Sequence, residues 1–334
     1  NNGTMPFSGV ARCAFVSTIL LNKLLDLNII NQKDILNFYR NINLVTNDIG
    51  FLAANAKKSR KERLKFINLF GHLRPSTYDI NSLNYKENFK NYFLYSNVKK
   101  KFSNHNSFNL TQNKKNKINN FLKKNNFNFD FNYFFNFAKK SITNREQIKC
   151  DFSKIINEIF NCLIKFGKRL KISRKDLENI NIHDIQSNFI NKTKLINRIK
   201  KEKLHRETNK LIKLPDVISN KNDLFSFEVI QARGNYIGKG NIVGKLVKFN
   251  PKMSSKNLNN SIVLVDRADP GYDFLFSFKI KGLVTKYGGP NSHMAIRCYE
   301  ENVLACIGYG ALFDNLDKSK NLILDCDNKK IFNF

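Results

Sequence analysis

The sequence contains no Trp and, in 334 residues, only six Pro and six Cys. It has no run of 18 apolar residues, and residues 1–4 do not begin a charged and then apolar secretory signal. We therefore expect a soluble, non-secreted, cytoplasmic protein with no membrane partner. No two cysteines form a CxxC pair, and their scatter argues against a disulfide scaffold or a zinc site and favours reduced thiols.

Acidic residues are scarce as well, with 27 Asp and Glu against 57 Lys and Arg, which gives a formal charge of +30. The excess lies in residues 1–225, which carry a net charge of +25, whereas residues 226–334 carry +5. Clustered cations could bind a nucleic-acid backbone. The 51 Asn, and Lys placed beside Asn, Ile and Phe, are however typical of AT-rich codon drift. We favour drift and do not expect a nucleic-acid partner.

Glycine is scarce in the first two thirds, since only five of the 15 Gly precede residue 226. Long stretches without Gly or Pro carry apolar residues at helical spacing, which predicts a helical domain over 1–225. Asp34 and Ser173 are predicted N-caps, the latter with Asp176 in a loose capping box. The spaced apolar residues include Val16, Leu20, Leu24 and Leu27, and then Ile155, Ile159 and Leu163.

The segment 96–140 is biased towards Lys, Phe and Asn, so helices are predicted only weakly there. It is a candidate for a partly mobile insertion. Its interleaved Lys and Phe are also the residues that a surface for single-stranded nucleic acid would use.

Residues 226–334 have a different texture, with ten glycines and six short β-branched runs that predict strands. Ser292 is a predicted N-cap, and the helix that follows is predicted to reach Glu301. The predicted fold class is therefore multidomain, α plus α/β: a mainly helical region followed by a compact α/β domain. The six runs are Ile242–Val247, Ser261–Val265, Gly282–Thr285, Val303–Ile307, Asn321–Leu324 and Lys329–Phe332.

The candidate functional residue of this domain is His293, which follows Gly288, Gly289 and the N-cap Ser292. Adjacent glycines permit positive φ and close approach to a ligand, and the start of a helix favours phosphoryl oxygens. A neutral imidazole is a competent nucleophile near physiological pH. The pattern fits a phosphoryl group carried on His293, and it also fits a structural histidine that caps a helix beside a turn.

Two longer segments, GLVTKYGGPNSHMAI at 282–296 and VLACIG at 303–308, resemble the swivelling phosphohistidine domain of phosphoenolpyruvate-utilising enzymes. That family includes phosphoenolpyruvate synthase, pyruvate phosphate dikinase and rifampicin phosphotransferase. Residues 263–270, VLVDRADP, resemble the same domain's strand and Asp-Pro turn, so the likeness covers about 226–334. It implies that His293 is the phosphorylated, catalytic residue. The phosphate-binding residues that it implies are Thr285, Gly288, Gly289 and Ser292.

The sequence departs from the family pattern after the histidine. Many members have an Ala-Arg pair where this chain has Cys298 and Tyr299, and Gly-Ile-Pro where it has residues 302–304. The lost Arg would weaken a contact with phosphate or with a partner. Arg297, about one helical turn after His293, is a candidate to replace it as a phosphate ligand.

The helical region has a weaker likeness to the domain that precedes the swivelling domain in dikinase-like proteins of the rifampicin phosphotransferase kind. Residues 71–80, 144–146 and 167–184 carry that likeness. In those enzymes the region binds the phosphoryl acceptor, and an Arg–carboxylate set can clamp an anionic or hydroxylated ligand. The same residue types also form ordinary buried ion pairs between helices. The candidates for acceptor binding or for docking the mobile domain are His72, Arg74, Asp79, Arg145 and Glu146.

The resemblance implies the C-terminal portion of an ATP-dependent dikinase-like phosphotransferase. The family takes its phosphoryl group from ATP on an ATP-grasp domain, and this sequence has neither the length nor the Gly-rich nucleotide loop for one. We therefore expect ATP and Mg²⁺ on an upstream or separate ATP-grasp partner, and no metal or cofactor on this chain. A sequence without an initiator Met fits a fragment.

The expected acceptor is a small molecule, water or a hydroxyl group of a larger molecule. Pyruvate is less favoured, because the phosphoenolpyruvate enzymes bind it in a large barrel. Two alternatives remain open at this point. One is a pseudoenzyme or assembly module with a silent histidine, and the other is a basic nucleic-acid-binding protein.

Overall fold

The computed structural model describes residues 4–42, 44, 47–94, 108–186, 191–209, 212, 214, 218–225, 234–250, 255–290, 292–316 and 320–333. Residues 96–107 of the predicted insertion lie outside these ranges. Residues 226–233, with which the predicted α/β domain begins, lie outside them as well.

The N-terminal part is helical, as its shortage of glycine predicts. The longest helix has 40 residues and packs along the first helix of the chain. Residues 108–140 of the predicted insertion hold one whole helix and the beginning of that long one. The helices are α1 (Thr4–Asp26), α2 (Gln32–Arg40), α3 (Ile49–Ala56), α4 (Arg60–Phe70), α5 (Phe89–Phe93), α6 (Gln112–Lys124), α7 (Phe131–Leu170), α8 (Arg174–Leu177), α9 (Ile182–Gln186) and α10 (Lys192–Asn209).

Two N-caps were predicted in the helical part, and the structure confirms one of them. Ser173 caps α8, where its side chain accepts a hydrogen bond from the backbone N–H of Asp176. Asp34 is not the cap of α2: Asn31 is, and Asp34 is the third residue of a reciprocal capping box. An Asn cap satisfies the free amides of the first turn as well as Asp does, so composition alone could not separate the two positions.

The apolar residues at helical spacing divide between the core and the surface. Leu24 is 1% exposed, whereas Val16 is 49% exposed and Ile155 is 59% exposed. Ala14 and Leu21 are also buried on α1 and pack in a cluster with Leu24 and with Ala138 of α7. The spacing therefore predicts the helices but does not decide which of the spaced residues are buried.

The C-terminal part is a mixed seven-stranded sheet in the order β1-β5-β4-β3-β2-β6-β7. β2, β3, β4 and β5 pair in parallel, and the pairs β1–β5, β2–β6 and β6–β7 are antiparallel. The six predicted strands are present with small shifts of their ends, and β1 is additional. The strands are β1 (Asn235–Ile237), β2 (Asn241–Lys248), β3 (Ser261–Arg267), β4 (Gly282–Tyr287), β5 (Leu304–Ile307), β6 (Asn321–Asp325) and β7 (Lys330–Asn333).

The connections between parallel strands position the candidate site. A 3₁₀ helix, Pro270–Ser277, joins β3 to β4, and α11 (His293–Glu301) joins β4 to β5. A short α12 (Phe313–Leu316) follows β5. The carboxyl ends of adjacent parallel strands lie at one edge of a sheet, which is where ligands bind in open α/β folds. The register pairs Arg267 with Tyr287 at this edge, directly before the loop that leads into α11.

One hydrophobic core is shared between the helical part and the α/β part. Phe274 of the 3₁₀ helix lies 6.3 Å from the ring of Tyr85 and 6.2 Å from that of Phe93, between ring centroids. The Tyr85 hydroxyl also donates to the Gly271 carbonyl oxygen at 2.9 Å. Separating the two parts would expose this apolar surface to water, so an opened arrangement needs another surface to cover it.

Within the described residues, one helix, Met5–Asp26, is long and apolar enough to cross a membrane by length and composition. A third of its most apolar window (33%) is buried against the rest of the protein. Core helices of soluble proteins pass the same test, so this is weak evidence. The expectation of a protein without a membrane partner stays a prediction.

Candidate functional site

The sequence suggests that the loop before α11 needs glycine at two adjacent positions, and the structure requires it at one of them. Gly288 has φ +143°, and a Cβ there would lie 2.7 Å from the Cβ of Ala268 and 2.9 Å from Cγ2 of Ile307. The φ of Gly289 is not positive, and a Cβ added at Gly289 would have no atom within 4 Å. Gly288 is therefore required for the turn, and Gly289 leaves open space beside it.

Two hydroxyl side chains fix the loop and the helix start. Ser292 caps α11, with its Oγ accepting from the backbone N–H of Ala295 at 3.3 Å. Thr285 is buried; its Oγ1 donates to the Tyr287 carbonyl oxygen at 3.1 Å and accepts from the Gly308 N–H at 3.0 Å. Thr285 thus braces the loop from within, and its predicted role as a phosphate ligand stays a prediction.

The imidazole of His293 is enclosed between two carboxylates. Its Nε2 lies 2.6 Å from Oδ1 of Asp273, and its Nδ1 lies 3.6 Å from Oε2 of Glu146. The side chain is only 1% exposed. The sequence pattern suggested a ring open to an incoming anion, and in this arrangement the ring is closed off.

Burial and hydrogen bonding oppose each other at this histidine. Burial disfavours the charged ring, but the hydrogen bond to Asp273 and the nearby carboxylate of Glu146 outweigh it and raise the pKa of His293. Burial also disfavours the charged form of Glu146, yet Lys149, His293 and Arg145 lower the pKa of that carboxyl. His293 and Glu146 therefore favour each other's charged forms where the α/β part meets α7.

Arg297 does not point to the loop as predicted. Its Nε donates to Oδ1 of Asp273 at 2.9 Å, and its terminal nitrogens donate to Glu300 at 2.6 Å and Glu301 at 2.9 Å. The guanidinium lies 5.1 Å above the ring of Phe276. Arg297 thus binds three carboxylates on the side away from the glycine loop. It does not line the cleft beside that loop.

A cleft of about 410 Å³ opens beside the helix start. Arg145 and Lys149 of α7 line one side, and Arg267 at the end of β3 lines another. The floor contains Gly288, Gly289 and Ser292. Three cations from two elements, α7 and β3, together with the start of a helix, make this a place for an anion such as phosphate. One carboxylate, that of Asp269, also lines the cleft. His293 is not among the residues that line it.

The predicted Arg–carboxylate set divides into two locations. Arg145 and Glu146 lie at the cleft and at His293, with Arg145 Nη1 3.7 Å from Glu146 Oε1. Asp79 is exposed, and its Oδ1 accepts from the Asn81 N–H. Arg74 is buried, where it donates to the Ser82 carbonyl oxygen at 3.1 Å and to Asn157 Oδ1.

His72 also lies apart from the cleft, beside Cys150 of α7, with Nε2 3.7 Å from Sγ. Burial, and then the positive charge of Lys154, lower the pKa of His72 to about 4, so the ring is neutral. Nearby, the Ser76 hydroxyl lies 3.1 Å from the Tyr272 hydroxyl, which attaches this segment to the 3₁₀ helix. His72, Arg74 and Asp79 as acceptor ligands stay a prediction.

Three residues of the site were not identified from the sequence: Asp273, Lys149 and Arg267. Lys149 stands four residues after Arg145, so the helical period could have placed both on one face. Asp273 and Arg267 belong to connections whose direction depends on the fold. Among the described residues, no group of three or more His, Cys, Asp or Glu side chains could hold a metal ion.

Residues 258–329 match the family model of the mobile domain of PEP-utilising enzymes. The matched segment includes the 3₁₀ helix, the glycine loop and α11. The match shows that this segment is similar to the swivelling, phosphohistidine-carrying domain of those enzymes. A search of curated proteins found no match.

Proposed function

We propose that this chain is the phosphohistidine carrier portion of an ATP-dependent, dikinase-like phosphotransferase. His293 takes a phosphoryl group from ATP bound with Mg²⁺ on an upstream or separate ATP-grasp domain, and passes it to a small-molecule or hydroxyl acceptor. The observation that carries the proposal is the position of His293, at the first turn of α11, within the segment that matches the mobile domain and beside a cationic cleft.

The carrier segment supplies part of the electrostatics that transfer requires. A phosphoryl group in transit carries charge on its equatorial oxygens, and fixed cations and amides stabilise that charge without reorganising. Arg267, Gly288 and Ser292 move with the carrier segment, whereas Arg145 and Lys149 belong to α7. The complete cleft therefore exists only in the docked arrangement, and Arg267, Gly288 and Ser292 accompany His293 when the carrier leaves α7.

In the proposed cycle the present arrangement is the docked and closed one. The ring of His293 is buried and hydrogen-bonded to Asp273, so a phosphoryl donor cannot reach it there. Moving the carrier away from α7 removes Glu146, lowers the pKa of the ring and exposes a nitrogen. The ATP-grasp partner would cover the apolar surface around Phe274 that this movement uncovers.

A second candidate function rests on the same burial of the His293 ring. A ring held between Asp273 and Glu146, in a structure whose two parts share a core, also fits a catalytically silent assembly module. The two functions differ in what His293→Asn does. It abolishes the activity of the parent phosphotransferase if the ring carries phosphate, and leaves that activity intact if the ring is silent.

The test uses the chain, a purified ATP-grasp protein from the same cells, and ATP labelled separately at the β- and γ-phosphates. We expect acid-labile, base-stable label on the peptide that contains His293, and none in His293→Asn. His183→Asn, which alters an exposed histidine outside the cleft, is the matched control and retains the label. Label on other histidines alone, or label that persists in His293→Asn, would contradict the proposal.

A further inference from the structure

We propose that the last turn of α11 and the end of α2 form a second docking contact, through which the helical region recognises the carrier. Its recognition residues on the carrier are Tyr299 and Asn302. Both are positions at which this sequence departs from the family pattern, with Tyr in place of Arg and Asn in place of Gly. The inference rests on the proposed function, because it concerns a carrier that docks on the helical region and leaves it.

The aromatic half of the contact joins two tyrosine rings. Tyr299 of α11 stacks on Tyr39 of α2, with 5.0 Å between ring centroids and 6° between ring planes. Tyr39 is buried in a core cluster of the helical part, and Ile296 of α11 packs in the same cluster. An Arg at position 299, as in the family pattern, would bring a charged group into this apolar contact, next to the guanidinium of Arg40. Tyr in place of Arg therefore suits this surface of α2.

The polar half of the contact depends on Arg40, the last residue of α2. Its Nε donates to the Tyr299 carbonyl oxygen at 3.4 Å, and a terminal nitrogen donates to Oδ1 of Asn302. Asn302 ends α11 in the left-handed conformation, with φ +55°. Gly and Asn are the residues that most often adopt this conformation at the end of a helix. Gly in the family pattern gives the same turn, but only Asn offers Arg40 a side chain.

The contact continues into the hydrogen bonds that hold Asp273. Asn47, which follows α2 in the chain, donates to Oε1 of Glu300 at 3.2 Å. The other oxygen of Glu300 accepts from Arg297, which in turn donates to Asp273. The helical region thus contacts α11 at both ends, through Glu146 at its start and through α2 at its end. Both contacts have to separate before the carrier can leave.

The family pattern supplies variants that keep the carrier folded. Gly at position 302 and Arg at position 299 occur in domains of this kind, so Asn302→Gly and Tyr299→Arg should leave the sheet of the carrier intact while they remove both halves of the contact. Two matched controls are available. Asn260→Gly makes the same replacement at an exposed residue of the matched segment, which is also in the left-handed conformation, with φ +57°. Tyr299→Phe retains the ring that stacks on Tyr39.

The experiment is hydrogen–deuterium exchange of the whole chain, measured by mass spectrometry of its peptides. In the double variant, Asn302→Gly with Tyr299→Arg, we expect several-fold faster exchange in α2 and α11, and also in the peptide of α7 that contains Glu146. That peptide contacts the other end of α11, so it responds only if the helix leaves both contacts together. The strands β3 and β4 should keep the wild-type rate, and so should every peptide of Asn260→Gly and of Tyr299→Phe.

Arg40→Ala removes the polar half from the helical side and should give the same pattern. It decides the matter if faster exchange in β3 and β4 shows that the double variant is unfolded. Wild-type exchange in α2 and in the Glu146 peptide overturns the inference. Faster exchange confined to α2 and the end of α11 also overturns it, because a merely structural contact would loosen only its own surroundings. The proposed function fails separately, if exchange responds as expected but ATP and the ATP-grasp partner label His293 in neither the wild type nor a variant.

Discussion

Glu146 of α7 and His293 of α11 face each other across the junction of the helical and α/β parts, with 3.6 Å between Oε2 and Nδ1 and each side chain 1% exposed. The histidine of the α/β part therefore interacts electrostatically with a buried carboxylate of the helical region. The ring is also closed to solvent, so in the proposed cycle this contact has to break before the ring can react.

Replacing Glu146 by Gln removes one of the two carboxylates that raise the pKa of His293. We expect that pKa to fall, and the free energy of unfolding to drop by about 1–3 kcal/mol, the range for leaving a buried polar group such as the His293 ring without its partner. NMR titration of the His293 ring and urea unfolding measure the two effects. Glu158→Gln, an exposed carboxylate on the same helix, is the control. Equal effects of the two variants would contradict the assigned role of Glu146.

The stability of the docked arrangement should depend on pH with a definite sign. The pKa of His293 is raised by folding, so its contribution is fully present below the unfolded value of about 6.5 and is lost as pH rises through the folded value. Burial raises the pKa of Glu300 to about 7, which gives a slope of the same sign. The difference between wild type and His293→Asn isolates the histidine.

We therefore expect wild-type stability, measured by urea unfolding at a series of pH values, to fall more steeply above pH 6.5 than that of His293→Asn. At the acidic end Glu146 acts in the opposite direction. Its pKa is lowered by folding, so its contribution is lost as pH falls through the folded value. Parallel curves for the two proteins above pH 6.5 would show that the ring is not charged when docked.

The two glycines of the loop should respond differently to alanine. Gly288→Ala places a Cβ against Ala268 and Ile307 at positive φ, and should cost about 1–3 kcal/mol of unfolding free energy. Gly289→Ala meets open space, and should stay within about 0.5 kcal/mol of wild type. Denaturant unfolding of both variants tests this. A larger loss for Gly289→Ala would mean that the loop has a different conformation.

The cationic cleft should bind inorganic pyrophosphate at low ionic strength. A hydrogen bond to a charged group is worth about 1.5–3 kcal/mol, so Lys149→Gln and Arg267→Gln should each weaken binding by about tenfold or more. Lys165→Gln removes the same charge from an exposed position of α7 and should have little effect. Titration calorimetry gives the dissociation constants. Equal weakening in all three variants would indicate a general effect of net charge and not a site.

Local features of the site could be predicted from the sequence, whereas its contacts could not. Ser292 as a cap, the helix to Glu301 and the need for a glycine at 288 depend on short-range chemistry, and all are present. The pairing of His293 with Asp273 depends on how a 3₁₀ helix crosses under α11, which no local pattern specifies. Arg297 has the spacing to reach back to the loop, but neighbouring carboxylates compete for it.

In the helical region, too, local features could be predicted from the sequence and contacts between distant segments could not. Periodicity and the shortage of glycine predicted its helices, because both act within a few turns. The spacing did not decide which of these residues face the core, as Leu24 does and Val16 and Ile155 do not, because packing between distant segments decides it. Glu146 could be named as a candidate from a resemblance, and only the fold shows that it contacts the histidine.

The most direct test of the central claim is the mass of the peptide that carries His293, isolated under alkaline conditions from cells that make the protein. If His293 carries phosphate during its cycle, part of this peptide is heavier by one phosphoryl group, and fragmentation places that group on the imidazole. If the peptide is never modified while the parent phosphotransferase is active, the histidine is a structural residue and the account is contradicted.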